Sequence, residues 1–368
     1  MTGSPSPSPE AAENDAYPEW DETLAAIVGA GGTTLVLGGI DVGKTTFTRL
    51  LVNRAIAAGR RVAVLDADPG QSEIGPPACA GLAFADVSVA GLSELTPHAL
   101  AFIGSLSPAP RLPEHITAVR RLADLAPDRL LVVDTSGYLH GPGARRMLQS
   151  EFDLLSPNNV VGLQRSDELA AILAPMRKRA GCRIYTPKIA TAIVSKPPSL
   201  RTHRREARFA HYFRDAEQAQ ISIGDVAITG SWLGGGTPVA AHILRFLNET
   251  LGPTTIYHAE TWGRTLGLMA NRPVEPNSPA VGMILGQLRV KELAVTVAPQ
   301  LKHLLVGMEA SNGKLLGLGI LAKLDFRRGT IRLITPVRTP DAACVLHFGM
   351  HRIAPDGSDG GALKVGEL

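Results

Sequence analysis

Between Trp20 and Glu217, short apolar runs alternate with longer segments whose apolar residues recur every three or four positions. The runs Thr33–Leu37, Arg61–Leu65, Leu130–Val133 and Val160–Leu163 each stop at a glycine or a polar residue. Such alternation predicts βαβ units and a mostly parallel sheet with flanking helices, whose ligands gather at the carboxyl ends of the strands. After about Gln218 the pattern changes. Ile221, Ile223, Val226 and Ile228 open a strand-like region, and Pro238–Leu251 reads as a helix. His303–Met308 and Lys314–Leu324 flank Asn312-Gly313, a hairpin signal because both turn residues tolerate positive φ. Arg328-Gly329 marks a second turn before Thr330–Ile334. The expectation is an α/β domain over 20–217, then a smaller, mainly antiparallel β (α+β) domain over 218–368. Residues 1–19, rich in Ser and Pro, are expected to form a flexible tail.

Composition narrows the picture only a little. A chain of 368 residues has room for about two domains. The formal charge of +3 is too small to identify a nucleic-acid partner, so the placement of basic residues matters more than their sum. Cys79, Cys182 and Cys344 lie far apart without metal-site spacing, which argues against a disulfide scaffold and suits a reducing cytoplasm. No basic segment followed by an apolar core marks a signal peptide at the start. No run of about 18 apolar residues reads as a membrane span.

The segment Gly38-Gly39-Ile40-Asp41-Val42-Gly43-Lys44-Thr45 matches GxxxxGK[ST] in full. An apolar run feeds into it, and Phe47, Leu50, Leu51, Ala55 and Ala58 give the helical face behind it, stopping at Gly59. Glycines let backbone N–H groups turn inward around phosphate oxygens, and the helix N-terminus adds a favourable dipole. Lys44 is placed to reach the β- and γ-phosphates and Thr45 to hold Mg2+. This identifies a nucleoside triphosphate site and leaves the acceptor open.

Two further strands end in acid. Arg61–Leu65 leads into Asp66-Ala67-Asp68-Pro69-Gly70-Gln71-Ser72, and alternate carboxylates on a strand point to one face. One can support magnesium while the other takes a proton, with Gln71 orienting water or a phosphate oxygen. Leu130–Val133 leads into Asp134-Thr135-Ser136-Gly137, a second magnesium-linked form. Three carboxylates thus compete for two jobs, and capping a turn is the ordinary alternative for any of them.

Together, Gly38–Thr46 and Asp66–Ser72 resemble the polynucleotide 5′-hydroxyl kinases. That family includes the RNA kinase subunit of the eukaryotic pre-mRNA cleavage factor, the kinases of ribosomal spacer processing, and shorter prokaryotic members. Its GxxDxGKTT form is matched by Gly38 through Thr46, and its DxDxGQ form by Asp66 through Gln71. Gly75-Pro76-Pro77, Gly104-Ser105, Asp134-Thr135-Ser136-Gly137, and Leu163-Gln164-Arg165 with Glu168-Leu169 follow in the family's order. The likeness extends more loosely to Gly317-Leu318-Gly319-Ile320 and Thr335-Pro336. Val42 departs from the serine many members carry, and the separate N-terminal β domain of the eukaryotic members is not expected. The resemblance implies transfer of the γ-phosphate of ATP, or GTP, to the 5′-hydroxyl of RNA or DNA. It makes Asp68 the general base with Gln71 beside it, and leaves Asp66 and Asp134 as outer magnesium groups.

In Ser199–Phe213, Arg201, Arg204, Arg205 and Arg208 recur at three- and four-residue spacing, along one face of a helix. Cations over a P-loop stabilise the transferring phosphoryl group. The resemblance assigns a lid to this stretch, with Arg204 and Arg205 as first candidates, then Arg201. A solvated cationic face is the plain alternative. Arg177, Lys178, Arg179, Arg183 and Lys188 form another basic cluster that suits either a phosphate track or an ordinary surface loop. With aromatics at only 5%, base stacking is not a dominant theme. The competing functions are a P-loop NTPase switch, a non-catalytic NTP-binding assembly module, and a small-molecule kinase. Intact Lys44, Thr45, Asp68 and Gln71 weigh against the second of these.

Overall fold

The computed structural model describes residues 17–195 and 197–364. The tail expected over 1–19 lies outside the described residues as far as residue 16. Pro18–Trp20 already form a 3-10 turn, and Trp20 is fully buried with Tyr17 stacked on it at 5.3 Å. The chain divides into two compact units, the first ending at Arg205 and the second beginning at Glu206.

In the first unit a seven-stranded sheet carries β1 (Thr33–Gly38), β2 (Val62–Ala67), β3 (Cys79–Ala85), β4 (Pro97–Phe102), β5 (Leu130–Thr135), β6 (Asn159–Leu163) and β7 (Arg183–Tyr185). Their order is β4-β3-β2-β5-β1-β6-β7. Strands β2, β5, β1, β6 and β7 run parallel, and β3 and β4 add an antiparallel edge. Every residue of β2, β5 and β6 is buried, as expected of parallel strands covered on both faces. The period of two sorts their side chains. Val36, Val62, Val64 and Val132 face α1 (Asp21–Ala30) and α2 (Lys44–Ala57), packing with Leu24, Ile27, Phe47 and Leu51. Leu35, Ala63, Leu65 and Val133 face α3 (Leu112–Ala123), α4 (Gly141–Leu155) and α5 (Ala170–Met176).

This strand order positions the chemistry. Strand β5 lies between β2 and β1, so the acidic end of β5 falls between the P-loop after β1 and the Asp66–Gln71 segment at the end of β2. The basic cluster behaves differently. Arg183 opens β7 level with Asn159 at the start of β6, so the Arg177–Arg183 stretch sits at the amino end of the parallel strands, away from the P-loop end. Arg179 there pairs with Asp153 at 3.0 Å, and none of the five cluster residues lines the P-loop cavity.

The arginine stretch is helical as expected, forming α6 (Pro198–Tyr212), and the division between the units falls inside it. The second unit contains β8 (Glu217–Ser222), β9 (Ala227–Thr229), β10 (Thr237–Pro238), α7 (Ala241–Thr250), β11 (Ile256–Trp262), β12 (Thr265–Ala270), α8 (Pro279–Leu288) and β13 (Glu292–Val297). It continues with β14 (Leu304–Ala310), β15 (Leu315–Asp325), β16 (Thr330–Thr335), β17 (Ala343–Ile353) and β18 (Asp359–Ala362). One sheet runs β18-β17-β14-β15-β16-β8, with β9 beside β17, and another runs β10-β11-β12-β13. Pairing is mostly antiparallel, with β12–β13 and β9–β17 parallel. The Asn312-Gly313 hairpin joins β14 to β15, with Gly313 at φ 79°. Among the described residues no helix is long and apolar enough to cross a membrane.

Candidate active site

The P-loop begins where β1 runs out of room for side chains. A Cβ on Gly38 would stand 2.7 Å from the Leu163 carbonyl oxygen. The chain then turns through Asp41 at φ 57° and Gly43 at φ 91° before α2 starts at Lys44. Val42 is buried among the apolar residues beneath the loop with Trp20 and Phe47, so its departure from serine adds to the core. Lys44 is nearly buried and folds back on the loop, its Nζ donating to the Gly39 carbonyl at 2.8 Å.

Asp41 is a hub. Its Oδ2 accepts from Arg201 Nη1 at 2.9 Å and from Ser195 Oγ at 2.9 Å, while its carbonyl accepts from Arg165 Nη2 at 2.6 Å. The turn that carries Arg165 is itself held by Glu168, which accepts the N–H groups of Arg165 and Ser166 and the Ser166 hydroxyl. Partial burial works against the charged form of Glu168, yet these hydrogen bonds hold its carboxyl down at about 2. The roles of Arg165 and Ser195 were not legible beforehand. Arg165 belongs to a recognised motif, but only the fold reveals that it grips the P-loop backbone.

The three acids separate into distinct roles. Asp66 is buried and turned into its own loop, accepting from the N–H groups of Asp68, Glu73 and Ile74 and from the Ser72 hydroxyl. Burial and the neighbouring Asp134 charge push its carboxyl up to about 8, against the pull of the Ile74 and Asp68 N–H groups. Asp134 is also buried, and its Oδ2 accepts from Thr45 Oγ1 at 2.8 Å. Its Oδ1 is buried with no partner among the described residues, the kind of orphaned acceptor that a metal-bound water satisfies. Burial raises the Asp134 carboxyl to about 6, opposed by the Lys44 charge and the Thr45 hydroxyl. Asp68 is only half-buried. Its Oδ1 accepts the N–H groups of Gly70 at 2.9 Å and Gln71 at 3.1 Å, and its Oδ2 takes no hydrogen bond from the described residues.

A cavity of about 820 Å³ opens over the loop. It brings together Ile40, Asp41, Gly43, Lys44, Thr45 and Thr46 from the P-loop with Asp68 and Gln71 from the loop after β2. Arg201, Arg204 and Arg205 of α6 line it as well. Gln71 donates to Gly70 O at 2.7 Å and, at 3.4 Å, to Arg201 O, tying the acidic loop to the arginine helix. Gly38, Gly39 and Val42 shape the loop from behind, and Asp66 and Asp134 stand outside the cavity lining. Ser107 and Ser136 line the cavity too, Ser136 from the Asp134–Gly137 motif, together with Glu73 and His140, which no sequence pattern had singled out. The arrangement can bind a triphosphate, hold a proton acceptor beside it, and bring three guanidinium groups to it.

Known proteins place this site in context. The family model for the mRNA cleavage and polyadenylation factor CLP1 P-loop matches residues 38–215. A polyribonucleotide 5′-hydroxyl-kinase of Pyrococcus horikoshii is 29% identical over 336 residues, covering 90% of this chain and 88% of its own. One from Methanocaldococcus jannaschii is 28% identical over 337 residues, covering 89% of each chain. A chain in the solved structure of the wild-type Clp1p–Pcf11p complex shares the fold at 13% identity, with a TM-score of 0.56 over 90% of this chain and 77% of that one. Alike in fold, in its P-loop and along most of its length, the chain is similar to the CLP1-related polynucleotide 5′-hydroxyl kinases.

Proposed function

We propose that the protein transfers the γ-phosphate of ATP, with GTP as an alternative donor, to the 5′-hydroxyl of a polynucleotide. RNA is the first choice of acceptor, following the names of the archaeal relatives, and DNA the second. The observation that supports this reading most is that Asp68 and Gln71 share one cavity with Lys44, Thr45 and three arginines. A hydrolytic switch needs only a positioned water. A free carboxylate oxygen beside the phosphate site suits an incoming hydroxyl.

In this reading Asp68 Oδ2 takes the proton from the 5′-hydroxyl as that oxygen bonds to the γ-phosphorus. The bond to the β,γ-bridging oxygen breaks, and ADP leaves. Gln71 orients the acceptor. Lys44 leaves the Gly39 carbonyl for the β- and γ-phosphate oxygens, and Arg201, Arg204 and Arg205 bear on the charge of the transferring group. Thr45 would hold Mg2+, with Asp134 behind it through the orphaned Oδ1. The ion, when bound, neutralises charge on the phosphates. Asp66 would position the base by folding the loop that presents Asp68, and would bear on the metal only through its place beside Asp134. The three free cysteines suit a reducing cytoplasm.

The test is transfer of labelled γ-phosphate from ATP to short 5′-hydroxyl oligonucleotides, RNA and DNA side by side, with Asp68→Asn as control. Label at the 5′ end that vanishes in the variant supports the reading, and the ratio of the two acceptors names the substrate. Acceptor-independent hydrolysis without transfer would sink it in favour of an NTPase switch.

A further inference from the structure

The second unit carries a groove of its own, with a volume of about 960 Å³. Helix α7, the start of β11, the 3-10 turn Ala298–Leu301 and the end of β15 with its following turn enclose it. Its floor is apolar, built by Leu244, Ile256, Leu301 and Leu321. Its rim is cationic, with Lys302, Lys323, Arg327 and Arg328 exposed around it and Asp325 as the one carboxylate. The groove thus concentrates four cations against one acid in a chain whose whole formal charge is only +3.

Three of these four cations are not spent internally. Lys323 Nζ bonds Asp325 Oδ2 at 2.8 Å, and Asp325 also accepts the Arg328 N–H, so this acid organises the turn. Lys302, Arg327 and Arg328 form no side-chain ion pair among the described residues. Two aromatic rings complete the walls. Tyr257 is 41% exposed. Phe326 stacks on His258 at 4.9 Å with the planes 8° apart, and His258 is fixed by Glu260 at 2.7 Å. Glu260, buried, is itself anchored on the Gly234 and Gly236 N–H groups, so the Phe326 ring rests on a rigid support.

We propose that this groove binds a single-stranded segment of the polynucleotide acceptor. The bases would lie on the apolar floor and against Tyr257 and Phe326, and the phosphates would meet Lys302, Lys323, Arg327 and Arg328. An acidic peptide would use the rim and leave the floor and rings uncovered, so a strand with both bases and phosphates is the better fit. Binding is insensitive to base sequence. The one side-chain amide in the lining, that of Asn248, is consumed by the Leu244 and Ile256 carbonyls and the Ile256 N–H, so it does not read base edges.

The identity of the occupant rests on the polynucleotide reading above, but its test does not need catalysis. Fluorescence anisotropy of the full-length protein with a 5′-phosphorylated 20-nucleotide RNA, which cannot accept phosphate, measures binding alone. The variant Lys302→Ala/Arg327→Ala/Arg328→Ala should weaken binding about tenfold or more and lower the salt slope by about 2, given roughly 0.7 per lost single-strand phosphate contact. The charge-preserving variant Lys302→Arg/Arg327→Lys/Arg328→Lys should bind as wild type, which separates charge from folding. Tyr257→Ala should cost roughly fivefold or more. In the kinase assay the triple alanine variant should raise KM and keep kcat. Unchanged affinity and salt slope in that variant would overturn the proposal, as would displacement by poly-glutamate but not by unlabelled RNA. A protein that transfers phosphate normally but shows no effect of the groove variants defeats only this inference. One that binds RNA through the groove but transfers no phosphate defeats only the kinase reading.

Discussion

Asp68 has two oxygens with separable jobs, and substitutions can part them. Its Oδ1 accepts the Gly70 and Gln71 N–H groups, which fixes the turn, while Oδ2 takes no hydrogen bond from the described residues and is the atom proposed to take the acceptor's proton. Asp68→Asn keeps an acceptor at Oδ1 and removes the base. General-base catalysis contributes roughly 10²–10⁴-fold, or about 2.7–5.5 kcal/mol of barrier, so transfer should fall by that factor. The turn should survive, leaving Tm within about 1–2 °C of wild type. Asp68→Ala removes the base and both loop hydrogen bonds. At about 0.5–1.5 kcal/mol each, these add about 1–3 kcal/mol of lost stability. At roughly 2–4 °C per kcal/mol for a unit of this size, Tm should drop by about 2–12 °C. Single-turnover transfer with labelled γ-phosphate and thermal melting of the same preparations read the two effects. Activity of Asp68→Asn within tenfold of wild type would refute the base assignment. Equal destabilisation by both substitutions would refute the division between the oxygens.

Other perturbations probe the surrounding structure. Gly43→Ala forces a side chain into a left-handed conformation at about 1–2 kcal/mol and drives a Cβ to within 3.0 Å of Ile193 and Trp20; equilibrium binding should show nucleotide Kd rising by roughly tenfold or more. Glu168, held down at about 2, contributes stability that is present above its usual range and lost as pH falls through that value. The Tm gap between wild type and Glu168→Gln should therefore be largest above about pH 5 and shrink on acidification toward pH 2, and a gap independent of pH would contradict this account. His115 and Glu151 meet at 2.8 Å, both fully buried between α3 and α4. Glu151→Leu alone should cost about 3–5 kcal/mol in urea unfolding, and adding His115→Leu should recover most of it, because the penalty is an unpaired buried polar group.

The features legible in the sequence share a local cause. The P-loop needs glycines within one turn, and β1, β2, β5 and β6 are continuous apolar runs because both faces of each are covered. The Asn312-Gly313 turn likewise follows from backbone freedom at two adjacent residues. What escaped reading depends on distant partners. Asp41 receives Arg201 from 160 residues away, and nothing beside Asp41 indicates it. The cluster at Arg177–Arg183 suited a phosphate track or an ordinary surface loop, and nothing local set it apart in space from the arginines of α6. Strand direction separates them, because a segment leading into a parallel strand lies at the end opposite to the segments leaving its neighbours. The antiparallel edge of β3 and β4 was missed because Cys79–Ala85 is small and apolar without alternation, a pattern that names no structure by itself.

The same dependence on partners explains how three acids come to differ. Asp66 and Asp134 are register partners on adjacent parallel strands, so the sheet sets two carboxylates side by side in a buried layer. Two such charges cannot both persist there without compensation: burial raises both carboxyls, helped at Asp66 by the Asp134 charge and at Asp134 by the Asp68 and Glu73 charges. What distinguishes them is the loop that follows each strand. The chain after β2 curls back so that three N–H groups and a hydroxyl converge on Asp66, spending its acceptor capacity on the conformation that presents Asp68. The chain after β5 does not curl back in this way, and Asp134 instead meets Thr45 and the field of Lys44, keeping one oxygen unspent. DxD followed by a later Asp is therefore not a set of equivalent metal ligands. Position on the strand brings the carboxylates together, and the return path of the loop decides which one is left with chemistry to do.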